Sequence, residues 1–172
     1  MGSKWFGQDL QAIAGAGCVA SASFLPAAGA YGAADVIDVA KEFPFVDRNG
    51  LAIPAGSLIR VLATILKIDQ SGLQASEGAY SVHLYDVTPP SAQADNAAWT
   101  LAQEDLAAYV DVIALGTPAD LGGGSFIKTQ LADQQDYKLA EDRSSLWARL
   151  VTTPAFTPGE VARQVTLLGI VL

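Results

Sequence analysis

From Lys41 onward, apolar residues recur at every second position in short runs that Gly, Pro, Asn and Asp interrupt, and this period of two predicts β-strands joined by turns. The clearest run is Tyr80 to Val87. Tyr80, Val82 and Leu84, extended by Asp86, share one face; Ser81, His83, Tyr85 and Val87 share the other. Pro89 and Pro90 end it, since proline has no N–H for a ladder. Upstream, Phe43 to Val46 leads into Asn49-Gly50, a tight-turn signal, and Pro54-Ala55-Gly56 marks a second turn. Ser57 to Asp69 fits helix and strand alike by periodicity; its β-branched residues and flanking turn signals select a long strand.

Downstream, Trp99 to Leu101 reads as a short strand, Ala102 to Ala108 as a single helical turn, and Tyr109 to Leu115 as the next strand. A flexible loop at Gly122-Gly123-Gly124 precedes two expected strands, Ser125 to Leu131 and Tyr137 to Leu139. Leu146 to Thr153 and Val161 to Leu172 close the pattern, separated by residues 154–159. Seven to nine short strands with no βαβ alternation predict an all-β fold, a β-sandwich or jelly-roll-like domain spanning residues 41–172.

The preceding stretch is written differently. Residues 1 to about 34 are rich in Ala, Gly and Ser, yet carry Trp5, Phe6, Leu10, Ile13, Phe24 and Leu25. That is too much glycine for a firm helix and too many bulky apolar groups for a solvated tail. The expectation is an extended N-terminal arm over residues 1–40 that lies against its own domain or a partner, with those six residues as the contact.

Composition narrows the function classes. Among 172 residues, 51% are hydrophobic and only 16% charged, so much of the surface must be Ala, Ser, Thr, Gly or Gln or else be covered by neighbours, and the second option favours an oligomer or an assembly subunit. A formal charge of −8 with scattered basic residues argues against nucleic acid as a partner. It also argues against an anionic membrane surface, and no apolar run approaches the roughly 18 residues of a span. Cys18 is the single cysteine, so neither an internal disulfide nor a CxxC motif is possible. Lys4 and the small residues up to Ala22 outline a secretory signal, but Gln8, Asp9 and Gln11 break its apolar region, and cleavage is not expected. The opening residues also lack the Ser or Thr of a myristoylation signal.

Candidate chemistry is sparse. Gly15-Ala16-Gly17-Cys18-Val19-Ala20 matches a loose dinucleotide pattern with Asp38 downstream, but no strand–helix context supports it. His83 is the only histidine, sits mid-strand and has no GxSxG serine to activate. Cys18 reads as a small apolar filler. Glu104-Asp105, Asp133 to Asp136 and Glu141-Asp142 are read as solvated turns in preference to catalytic carboxylates. Asp95-Asn96 and Asp133 to Asp136 are oxygen-rich enough for calcium but lack EF-hand spacing, and Asp95-Asn96 suits an Asx turn better. Trp99, Trp147, Tyr80 and Tyr85 could form a sugar-stacking platform, although strand aromatics usually serve a core or an interface. No catalytic residue, cofactor or metal is expected from these patterns.

Several phrases resemble the head decoration, or cement, proteins of tailed bacteriophages. They are Phe43-Pro44-Phe45-Val46 with Asn49-Gly50, residues 57–60 (SLIR), residues 82–90 (VHLYDVTPP), residues 94–101 (ADNAAWTL) and residues 146–154 (LWARLVTTP). The resemblance covers residues 41–172. It implies a non-enzymatic virion protein on the capsid exterior, present in the host cytoplasm before assembly, that bridges major capsid protein subunits as a homo-oligomer, a trimer being favoured. Trp5, Phe6, Leu10, Ile13, Phe24 and Leu25 would then be the capsid or subunit interface. A tail or baseplate subunit, and a carbohydrate-binding β-sandwich module, are the alternatives.

Overall fold

The computed structural model describes residues 15–70 and 73–172. Ten strands follow in order: β1 (Gly17–Phe24), β2 (Val36–Pro44), β3 (Val46–Asp47), β4 (Leu58–Ile68), β5 (Tyr80–Tyr85), β6 (Tyr109–Gly116), β7 (Ala119–Asp120), β8 (Ser125–Lys138), β9 (Ser145–Thr152) and β10 (Arg163–Val171). They form two antiparallel sheets, ordered β3-β1-β10-β4-β8-β7 and β2-β9-β5-β6, packed face to face as a β-sandwich. Phe24, Phe43, Ile59, Leu66, Val82 and Leu150 stand among the fully buried side chains between them.

β4 shows how local sequence meets this architecture. Ile59 and Val61 face the core at odd positions, but further along Thr64, Leu66 and Ile68 do so at even ones. The change of parity is absorbed at Leu62, an extra residue that both neighbouring strands skip. Opposite the bulge, Gly169 approaches β4 so closely that a Cβ there would sit 2.5 Å from the Arg60 carbonyl oxygen. Periodicity broken by one residue is why helix and strand compete in the sequence of this segment.

Three expectations are corrected by the fold. The arm does not run through residues 1–40: Gly17–Phe24 is an internal strand hydrogen-bonded between β3 and β10, and Val36–Pro44 lines the edge of the other sheet. Cys18, Ala20, Ala22 and Phe24 alternate toward the core there, and side chains that small hide a period of two inside Ala/Gly-rich text. The two strands expected over residues 125–139 are a single strand, β8. Its pairing with β4 jumps from Gln130 to Gln135, and that irregularity is what splits the pattern in the sequence. Residues 99–101 are likewise not a strand; they belong to a long excursion between β5 and β6 that carries a 3-10 turn at Gln103–Asp105.

Candidate functional site

The excursion of residues 86–108 folds back over the outer face of the four-stranded sheet, so that β5 is covered on both sides. His83 and Tyr85 of β5 and Arg149 of β9 form the floor, and Ser91, Trp99 and Asp105 come down from above. Arg149 Nη1 lies 3.1 Å from Asp105 Oδ2, with both side chains out of reach of solvent. Its Nη2 donates to the Ser91 carbonyl at 2.5 Å and to the Ser91 hydroxyl oxygen at 3.1 Å, while the guanidinium sits 5.4 Å from the Tyr85 ring centre. Asp105 also accepts from the Ser91 N–H (2.8 Å) and hydroxyl (2.5 Å). Burial presses the Asp105 carboxyl upward; hydrogen bonds from Ser91 and the charge of Arg149 outweigh it and hold the group below the usual carboxylate range.

Beside this pair, the Trp99 indole lies over His83 with ring centres 3.8 Å apart and 31° between planes. His83 Nδ1 is 3.1 Å from the Tyr109 hydroxyl and Nε2 is 3.3 Å from the Ser81 hydroxyl. Burial, and secondarily the charge of Arg149, push the imidazole down to about 4. A neutral ring of such low basicity is a poor general base for Ser81 near neutral pH, despite their contact.

The second half of the excursion's phrase is a clamp. Asp95 accepts from the Ala27 N–H (2.8 Å), the Tyr31 hydroxyl (2.7 Å) and the Asp38 N–H (2.5 Å). Asn96, with φ of 61°, donates its side-chain amide to the Ala30 carbonyl and its backbone N–H to that of Val36. Trp99 N–H continues the contact to the Ala34 carbonyl. These carboxylate oxygens are engaged by protein donors, so Asp95-Asn96 is a turn device that fastens residues 25–38.

The remaining candidates are dispersed. Asp136 forms a two-point pair with Arg60 at 2.6 and 2.7 Å, Glu141 pairs with Lys138 and Asp142 with Arg143. Cys18 is buried and its thiol is pushed up to about 11 by desolvation. Gly15 to Ala20 runs straight into β1 with no helix behind it. Tyr80 and Tyr85 are fully buried, and one face of Trp99 is occupied by His83, so the four aromatics do not make a platform. Among the described residues, no three His, Cys, Asp or Glu side chains converge as a metal site. Phe24 lies in the core, 6.1 Å from the Phe43 ring, whereas its neighbour Leu25 is 56% exposed. Trp5, Phe6, Leu10 and Ile13 lie outside the described residues.

Sequence reasoning did not single out Ser91 or Arg149, and its reading of Asp105 as part of a solvated turn is corrected: the carboxylate is fully buried against Arg149. The signal available was Arg149 itself, a charge inside the otherwise apolar run of residues 146–151, which only a buried partner can make tolerable. Comparison of the chain with protein-family models and with curated proteins finds no match.

Proposed function

We propose that the protein is a non-enzymatic virion component, a decoration protein on the outside of a bacteriophage head that stabilises contacts between major capsid subunits. The observation that supports this reading is how the VHLYDVTPP and ADNAAW phrases are used. Asp95, Asn96 and Trp99 rivet a long loop and the residues before β2 onto the sheet, so the phrase is spent on internal contacts. A rigid buttress of this kind suits repeated docking on a shell. The outer face of the six-stranded sheet suits it too. Val19, Leu168 and Ala63 stand in one row across β1, β10 and β4, with Leu58 and Leu62 exposed nearby on β4.

Purified particles provide the test. The protein should be present in stoichiometric, symmetry-related copies on the head, and a free species that never co-purifies with particles sinks the proposal. Copies at the tail instead would favour a tail or baseplate subunit. The burial of Tyr80 and Tyr85 leaves the carbohydrate-binding alternative only Trp99 and Trp147, and glycan-array binding lost on replacing either of them would favour it.

A further inference from the structure

Among the described residues, nearly every positive charge has a carboxylate beside it. Lys41, Arg60, Lys138, Arg143, Arg149 and Arg163 are in ion pairs, and Arg48 follows Asp47 in the chain. Lys67 and Lys128 are the exceptions: both are exposed, and neither has an ion pair or a hydrogen bond among the described residues, in a chain of net charge −8.

The two lysines share one place. β4 and β8 pair Lys67 with Phe126 and Ile65 with Lys128, so both lysines stand on the outer face of the six-stranded sheet as diagonal neighbours, about 7–8 Å apart. Outward positions around them are neutral: Ser21 and Ser23 on β1, Gln164 and Thr166 on β10, Ile65 on β4. Among the described side chains of these strands, the one outward carboxylate is Asp136, and Arg60 already holds it at two points.

A groove of about 550 Å³ begins at Lys67. Phe126 and Leu121 give it apolar walls, and Ser23 and Gln164 a polar side. Ser125, which also lines it, is 3% exposed and its hydroxyl has no hydrogen-bond partner among the described residues. An unpaired hydroxyl at such depth is an exception that a group bound in the groove would account for. Asp69 lies at the far end, past β4 and on the side of Lys67 away from Lys128.

We infer that this face takes an extended acidic segment of a partner protein, with an apolar side chain in the groove and carboxylates at alternate positions on Lys67 and Lys128. Side chains two positions apart on an extended strand are about 6.6 Å apart, close to the spacing of the lysines. Asp69 sets the direction, because it repels the acidic end and leaves the apolar end on its side. A nucleic-acid backbone suits the face less well: two lysines do not offset the repulsion between a chain of net charge −8 and a run of phosphates. The inference rests on the capsid reading for the use of this face as a docking surface, and adds the chemistry of what it meets.

The probe is the peptide acetyl-Leu-Ser-Glu-Ser-Glu-amide, whose Leu and two Glu share one face when extended. It is titrated into the full chain to about 10 mM, which reaches weak binding, and followed by amide NMR shifts. Saturating shifts are expected at Lys67, Phe126 and Lys128. Lys67→Gln combined with Lys128→Gln should abolish them while core amides such as Leu150 keep their wild-type positions, and Gln in place of both peptide Glu should weaken binding about tenfold. No saturation, equal binding of the Gln peptide, or the same shifts with inorganic phosphate alone overturns the inference. Peptide binding by a protein absent from particles supports it and sinks the capsid reading; failure to bind the peptide by a protein found on particles does the reverse.

Discussion

Arg149 and Asp105 meet 3.1 Å apart where neither side chain touches water, one from the middle of β9 and the other from the 3-10 turn of the excursion. A pair so placed is costly to desolvate and far more costly to break. Asp105→Asn, which strands a buried guanidinium, should lower the unfolding free energy by about 3–5 kcal/mol. Replacing both partners, Arg149→Met with Asp105→Leu, should recover most of that loss. Urea unfolding measures both, and a single variant as stable as wild type would show that the pair does not hold the excursion down.

His83 should give the protein a stability that depends on pH above the range of its carboxylates. Unfolded, the imidazole titrates near 6.5; folded, burial and Arg149 bring it to about 4. Below the unfolded value only the unfolded state takes up the proton, so stability is full above pH 6.5 and drains as pH falls toward 4. The loss amounts to at most about 3 kcal/mol. Asp105 acts in a lower window: its folded carboxyl is depressed, so its contribution is complete above the unfolded value and lost as pH falls through the folded one. Unfolding curves at pH 7 and 4.5 should therefore differ for wild type and converge for His83→Phe.

Phe24 and Leu25 should separate folding from contact. Phe24→Ala empties a core position against Phe43 and should cost about 3–5 kcal/mol. Leu25→Lys should change stability by no more than about 0.5 kcal/mol while weakening attachment to particles. Binding by Leu25→Lys at wild-type strength would remove this residue from the contact.

The Cys18 thiol should be silent in the native state. It is buried on the core face of β1, opposite Gly169, and held protonated at neutral pH. Alkylation by iodoacetamide should proceed only at the rate of unfolding, and rapid labelling of folded protein would mean that β1 leaves the sheet.

What could be read from the sequence follows from how far each signal reaches along the chain. The 57–69 strand, the strand expected over Tyr80 to Val87, the turn at Asn49-Gly50 and the helical turn near Gln103 are written in neighbouring residues, and the structure places them there, with the second strand ending earlier, at Tyr85. The all-β class follows from the same local alternation. β1 was missed because Ala and Cys on its core face carry almost no hydrophobic contrast with the Ser and Ala around them. The buttress was missed because its partners are remote: Asp95 meets Asp38 and Ala27, and Asp105 meets Arg149, only after two sheets have formed. Its residues could be seen as turn formers, yet the loop's direction over the outer face is a tertiary fact.

The placement of β10 bears on how the protein is made. That strand lies between β1 and β4 in the middle of the six-stranded sheet, so Gly17 finds its partner only when Ile170 has been synthesised. Until then β1 and β4 have nothing between them, and a nascent chain emerging from the ribosome exposes one unpaired edge on each of them beside their apolar faces. Closure of so long a loop is entropically slow, and contacts this remote in sequence place the protein among the slow folders. The six-stranded sheet can close only once β10 has emerged to take its place between β1 and β4.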